Sequence, residues 1–286
     1  MAIVLGENRY GKAETRLVRV TRDGETHTLA DLNVSVALSG DLAATHLTGD
    51  NAGVLPTDTM KNTVYAFAKE HGVGEPEEFA LLLARHFVET HTQIRAARVG
   101  IESFGWARLG PHSFRRQGDH TRTAEVTVTV EQTQVVSGLA GLTLLNATGS
   151  EFHGFPRDRY TTLPETTDRI LATAVDARWR HLRDDTDWGK SFTTAVEALT
   201  AAFVDTYSYS LQQTLFAMGS RVLTELPEVA EIRLALPNKH HYLVDLSPFD
   251  LANDNEVFIA GDRPYGLIEG TVTRDDVPPA ITEWYP

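Results

Sequence analysis

The chain has 286 residues, 42% of them hydrophobic and 23% charged, a balance that excludes disordered and fibrous classes and leaves room for one large domain or two of about 140 residues. Its 26 basic and 39 acidic side chains give a net charge of −13, which speaks against a uniformly basic nucleic-acid binder while allowing a local basic pocket. With no cysteine, disulfides, thiolate nucleophiles, iron–sulfur clusters and cysteine-ligated zinc are excluded.

Taken in chain order, residues 15–22 read as a strand, Asp23-Gly24 as a hairpin signal and residues 27–39 as a second strand. Met60, Val64, Phe67 and Ala68 recur at helical spacing up to Gly72, and a second helix starts near Pro76 with Phe79, Leu82, Leu83 and Phe87 on one face. Residues 93–107 and 111–117 read as extended about a Gly110-Pro111 turn, and a long strand is expected over 121–135, with Val126, Val128 and Val130 alternating with threonines. Extended residues to 147, a loop around 150–168 and a strand over 169–182 follow. Two further helices carry Phe192, Val196, Leu199 and Phe203, then Leu211, Leu215, Met218 and Val222, before strands at 232–236, 241–247, 256–260 and 266–274. Both halves thus run strand–strand–helix–helix–strand–strand. This repeat of order predicts an α+β chain of two tandem units, residues 1–135 and 136–286.

No apolar run approaches the ~18–20 residues that a membrane-spanning helix needs, and the N-terminus lacks the layout of a secretory signal. The expectation is a soluble cytoplasmic protein. No Gly-x-Gly-x-x-Gly, P-loop, Gly-x-Ser-x-Gly or His-Glu-x-x-His motif occurs. The 11 histidines form no compact ligand set: His240 and His241 are adjacent, and His86 and His91 are badly spaced for one helix face. No metal and no cofactor is expected. Polar density beside apolar strands instead marks three segments, 55–63, 149–163 and 236–241.

These segments resemble the urate oxidase (uricase) family, most closely its actinobacterial branch. The resemblance rests on TDTMKNTVYAFAKEH, TGSEFHGFPRDRYTTLPETTDRIL, LQQTLF, LPNKHH and EVFIAGDRPYGLIEGTV, spread in order over nearly the whole chain. It implies the T-fold, in which two antiparallel units with helix pairs form barrels that stack into a tunnel-like homotetramer with active sites at subunit interfaces. It also implies cofactor-free oxidation of urate by O2 and water to 5-hydroxyisourate and hydrogen peroxide.

By the same resemblance, Arg169 anchors the urate anion with its guanidinium fork, Gln212 faces it, Phe152 stacks on the purine, and Leu211 offers its backbone N–H. Thr57 and Asp58 complete the pocket across the interface, Asp58 through its N–H. Lys12, Thr57 and His240 are implied as a proton relay, and Asn238 as the group that holds O2 and then water above the ring. Taken alone, these residues read more plainly: Arg169 as a surface ion pair, Gln212 as solvated, Phe152 as core, Lys12 as a surface lysine and Asn238 as a turn residue. The chain departs from the family in Asn146, where a lysine is frequent, and in Ala174, where an aspartate is common. Two other readings remain open, a pterin- or GTP-type T-fold enzyme and a urate-binding protein without turnover.

Overall fold

The computed structural model describes residues 1–261 and 263–281. Alternation builds its first strand pair. β1 (Tyr10–Asp23) and β2 (Thr26–Gly40) pair antiparallel, Asp23 opposite Thr26. β2 buries Leu32, Val34, Val36 and Leu38 at every second position, the period of a sheet covered on one face. Then come a short helix that periodicity does not reveal, α1 (Ala43–Thr48), and the helix pair α2 (Thr57–Glu70) and α3 (Pro76–Thr90). Pro76 at the first turn and a reciprocal Glu75–Glu78 capping box start α3. β3 (Ile94–Ser103), β4 (Trp106–Arg108), β5 (Phe114–Arg116), β6 (Thr121–Thr129) and β7 (Thr133–Asn146) follow.

The long strand expected over 121–135 is broken. The chain turns at residues 130–132, where Thr129 N–H donates to Gln132 O at 2.8 Å and the Thr129 hydroxyl accepts the N–H groups of Glu131 and Gln132. Val130 keeps the alternation of Val126 and Val128 in phase through the turn, yet it is 58% exposed.

The chain forms two compact units, and β7 passes from one into the other after Gly138. The first unit holds Met1–Gly138, Arg180–Lys190 and residues 277–281. Its strand order β1-β2-β3-β6 is antiparallel throughout, and Val34, Val36, Val99 and Val126 pack against Val64, Phe79, Leu83 and Phe87.

The second unit, Leu139–Trp179 and Ser191–Asp276, adds all but the last two residues of β8 (Leu171–His181), all but the first turn of α4 (Trp188–Asp205), and α5 (Leu211–Glu225), β9 (Val229–Asn238), β10 (His241–Leu243), β11 (Phe258–Ala260) and β12 (Gly266–Thr273). β9 and β12 pair antiparallel, and β10 pairs with β11 as a separate ribbon. The strand expected over 241–247 is therefore shorter, because the chain enters a 3-10 turn at Ser247–Phe249. Trp179, Leu199, Phe203, Met218, Ile232 and Leu234 form this unit's core. A Cβ on Gly219 would lie 2.5 Å from a methyl of Val272, so α5 rests on β12 at a distance that only a missing side chain allows. Asn146, at the end of β7, donates to Phe203 O at 3.0 Å and ties that strand to α4. Ala174, half-buried in β8, offers no charge there. The whole is an α+β fold of antiparallel strands with helix pairs, as the sequence predicts.

The first unit also buries a polar network. Ser137 Oγ donates to Glu77 Oε1 at 2.6 Å and lies 2.9 Å from His181 Nε2, while Arg122 donates to Glu77 Oε2 at 2.7 Å. Since the serine proton goes to Glu77, Nε2 carries the imidazole proton, and Nδ1 is buried without a partner among the described residues. Burial first, and then the charge of Arg122, holds His181 down at about 3. The unfolded chain thus binds a proton that the folded one refuses between about pH 6.5 and 3, and stability falls as pH drops through that window. Glu77, whose carboxyl burial pushes up, works in the opposite direction, so a variant isolates the histidine. The unfolding midpoint of His181→Gln should fall less steeply than the parent's from pH 7 to pH 5. Parallel profiles would show that His181 is not the titrating group.

Candidate functional site

Residues 147–170 cross between β7 and β8 without regular structure beyond isolated bridges, and their backbone groups find partners in stages. Ser208 N–H donates to Gly149 O and Glu151 N–H to Ser208 O, both at 2.9 Å; Phe152 and Thr166 exchange bonds of 2.8 and 3.1 Å; Arg169 N–H donates to Ser150 O at 2.9 Å. Thr148 adds a side-chain bond to Asp168 at 2.7 Å. Phe152 and Arg169 are thereby drawn together, with the guanidinium carbon 5.3 Å from the Phe152 ring centre. One face of Phe152 also stacks on Phe155 at 5.0 Å.

Arg169 is half-buried and makes no ion pair among the described residues, unlike the surface pair that its local sequence suggests. Neighbouring Asp168 accepts from Thr148 instead. Burial lowers the guanidinium's pKa from its ordinary value. Its Nε donates to Ser150 Oγ at 3.1 Å, so both terminal nitrogens remain to grip a ligand. A guanidinium held in this way presents two parallel donors to an anionic, planar acceptor edge.

Helix α5 starts beside this loop. Ser210 is its N-cap and accepts the Gln213 N–H at 3.2 Å, while the Gln213 amide oxygen accepts the Tyr209 N–H at 2.8 Å. This near-reciprocal cap spends Gln213 on the fold. Gln212, exposed in the same turn, keeps its side chain uncommitted. The N–H groups of Leu211 and Gln212 are among those that a helix start leaves without intrahelical partners, and that end carries partial positive charge. Leu211's side chain is buried, so only its backbone can serve a ligand.

Asn238 closes β9 opposite Gly266 and is half-buried. Two residues on, His240 lies between strands rather than within one. Lys239 N–H donates to Ala172 O at 2.8 Å and Gly261 N–H to His240 O at 2.8 Å, which fixes the segment beside the start of β8. Burial first, then the charges of Arg169 and His241, lowers the His240 pKa below its ordinary 6.5. The second unit thus assembles Phe152, Arg169, Leu211, Gln212, Asn238 and His240 from one loop, one helix start and one strand end.

Lys12, Thr57 and Asp58 belong to the first unit. Lys12 lies opposite Val36, and a β-bulge follows it before Thr15, with Glu14 at a φ of +55° and its N–H donating to Ser35 Oγ at 3.0 Å. Bulges re-aim side chains at sheet rims. Tyr10 OH accepts the Leu55 N–H at 2.9 Å and ties this strand to the approach of α2. Thr57 opens α2 behind Pro56, where no side chain caps the helix. The Asp58 carboxylate is held by Lys61 and by Asn62 at 2.9 Å, leaving its N–H as the group on offer. Those bonds, Lys61's charge and, more weakly, that of Lys12 lower the Asp58 pKa, which places Lys12 within electrostatic reach of the start of α2. A cleft of about 470 Å³ opens beside Lys12, lined by Arg9, Gly11, Ser35, Arg98 and Glu125 among others.

Sequence reasoning passed over Ser150, Ser208 and Thr214, each fully buried. Serine and threonine carry no pattern that marks a supporting role.

Comparison with known proteins adds an independent line. A uricase family model matches residues 8–127 and 135–269. The chain is 51% identical to the uricase of Arthrobacter globiformis over 275 residues, covering 96% of this chain and 91% of that protein. It is 39% identical to the uricase of Dictyostelium discoideum over 280 residues, covering 94% and 96%. The crystal structure of the Arthrobacter globiformis uricase superposes with a TM-score of 0.95 at 50% identity, covering 98% of each chain.

One position beside Lys12 admits no side chain. A Cβ on Gly11 would lie 1.9 Å from Val36 O, so Gly11→Ala must force β1 off β2. It should cost at least about 3 kcal/mol in denaturant unfolding. An unchanged midpoint would mean that the start of β1 shifts freely.

Proposed function

The chain belongs to the uricase family, and on that premise we propose that it oxidises urate with O2 and water to 5-hydroxyisourate and hydrogen peroxide. The observation that carries the reading is the Arg169 fork. It is half-buried, tethered by Nε alone, and it stands over Phe152 beside the open start of α5. A flat purine anion fits such a site: the guanidinium and the Gln212 amide take its polar edge, the Leu211 N–H takes an oxygen, and Phe152 takes its face. A net charge of −13 does not oppose this, because the local cations set the pocket's potential.

In this reading urate itself is the reductant, and neither metal nor organic cofactor takes part. The purine passes two electrons to O2, which takes up two protons and leaves as hydrogen peroxide. The oxygen of water adds to the ring as the new hydroxyl. The protein's work is placement and proton transfer. Lys12 draws a proton through Thr57 from the substrate, His240 holds the far end of the relay, and Asn238 orients first O2 and then water. The two sequence halves, residues 1–135 and 136–286, act as tandem T-fold modules. The assembly is a barrel-forming, tunnel-like homotetramer in which Thr57 and Asp58 of one copy complete the pocket of another. Among the described residues no helix is long and apolar enough to cross a membrane. We place the enzyme in the cytoplasm.

Three measurements test this. In chelator-treated buffer, urate loss, O2 uptake and peroxide release should be equimolar, and Lys12→Met should lower kcat by about two orders of magnitude. Urate binding without O2 uptake would instead indicate a silent binder, and neither binding nor turnover a pterin-type enzyme. The acid limb of kcat/KM reports His240. Because burial, Arg169 and His241 hold its pKa down, activity should persist below pH 6.5 and fail only as pH drops through the lowered value. Replacing His241 with glutamine removes one of those causes and should move the limb upward; an unmoved limb would assign it to another group.

A further inference from the structure

Building on the urate reading, we propose that Ser150 is a positioning residue for the urate clamp, and that a buried Ser150–Ser208–Thr214 scaffold couples the two arms of that clamp. The Ser150 hydroxyl is fully buried and accepts the Arg169 Nε–H at 3.1 Å, while the Ser150 carbonyl accepts the Arg169 backbone N–H at 2.9 Å. An arginine whose Nε and backbone N–H are both bonded to one buried residue loses rotational freedom, and its two terminal nitrogens are aimed as a fork. Arg169 itself contacts the substrate; Ser150 acts only through it.

The support continues to the opposite arm. Ser150 is bridged in parallel to Ser208 by the backbone bonds of Gly149 and Glu151. The Ser208 hydroxyl donates to Ser210 O at 3.1 Å and accepts from Thr214 Oγ1 at 2.8 Å. Ser210 is the N-cap of α5, so this scaffold runs without a gap from the guanidinium to the turn that presents Leu211 and Gln212. Ser208 and Thr214 are both fully buried, and neither has another evident task. The arrangement sets the spacing between the Arg169 fork and the Gln212 arm before any substrate arrives, which reduces the ordering cost of binding.

The test is the affinity of the whole protein for urate, titrated without O2, together with KM, kcat and the unfolding midpoint. Ser150→Ala should weaken urate binding and raise KM about tenfold with kcat within twofold, because the clamp holds substrate and transition state alike. In an Arg169→Lys background, which lacks the Nε–H, Ser150→Ala should add no further loss. Thr214→Val, close in shape, should raise KM by a smaller factor, about threefold, through the cap. An unchanged affinity in Ser150→Ala overturns the role of Ser150. An equal loss in both backgrounds overturns its action through Arg169, and an unchanged Thr214→Val overturns the coupling to α5. A parent protein that oxidises urate while these variants match it sinks this inference alone; a parent that neither binds nor oxidises urate sinks the functional reading with it.

Discussion

A long irregular segment can sit against a core only if its backbone polar groups find partners, since an unpaired buried amide costs free energy comparable to a lost hydrogen bond. Residues 147–170 meet that demand through Gly149, Glu151, Phe152, Thr166 and Arg169, whose bonds run to Ser208, to one another and to Ser150. The placement of Phe152 and Arg169 is a consequence. Each stands next to a backbone group that had to be satisfied, so the side chains that could grip a ligand are fixed by bonds that have no chemical role of their own. The start of α5 is drawn into the same arrangement because Ser208, which serves the loop, lies two residues before the helix N-cap.

The site is made by what the fold leaves over. Gln213 goes to the cap and Gln212 does not, and Arg169 commits Nε and keeps its other two nitrogens. Adjacent residues of the same type thus come to have different availability. The pattern also explains how an acidic protein can offer an anion site. Asp168, which could neutralise Arg169, accepts from Thr148 instead, while the start of α5 contributes partial positive charge without any cationic side chain.

Much of the fold is legible in the sequence because burial imposes a period. The buried positions of β2 alternate, and Met60, Val64 and Ala68 in α2 recur at helical spacing, each written by the one face that must leave water. Where no such face exists, the pattern is silent or misleading. Helix α1 buries nothing and carries no stripe. The turn at residues 130–132 has none of the glycine, proline, asparagine or aspartate residues that mark turns, and Val130 prolongs the β alternation across it. The ribbon of β10 and β11 is so short that its ends are set by contacts with distant residues.

For the candidate residues, the sequence offers side-chain types and their order, since guanidinium, amide, imidazole and ammonium groups announce the chemistry they can perform, and the motif resemblance ties them to one family. Which atoms are free was not readable. That depends on hydrogen bonds between residues far apart in the chain, as Ser150 is from Ser208 and Tyr10 from Leu55. Nor does the sequence show that Gly11 and Gly219 are needed for want of space, because a glycine selected for close approach looks the same as one selected for a turn. Local chemistry is carried by each side chain, and local periodicity by its neighbours. Availability, charge environment and spacing belong to the packed molecule, where competing partners settle which polar groups hold the structure and which remain for a ligand.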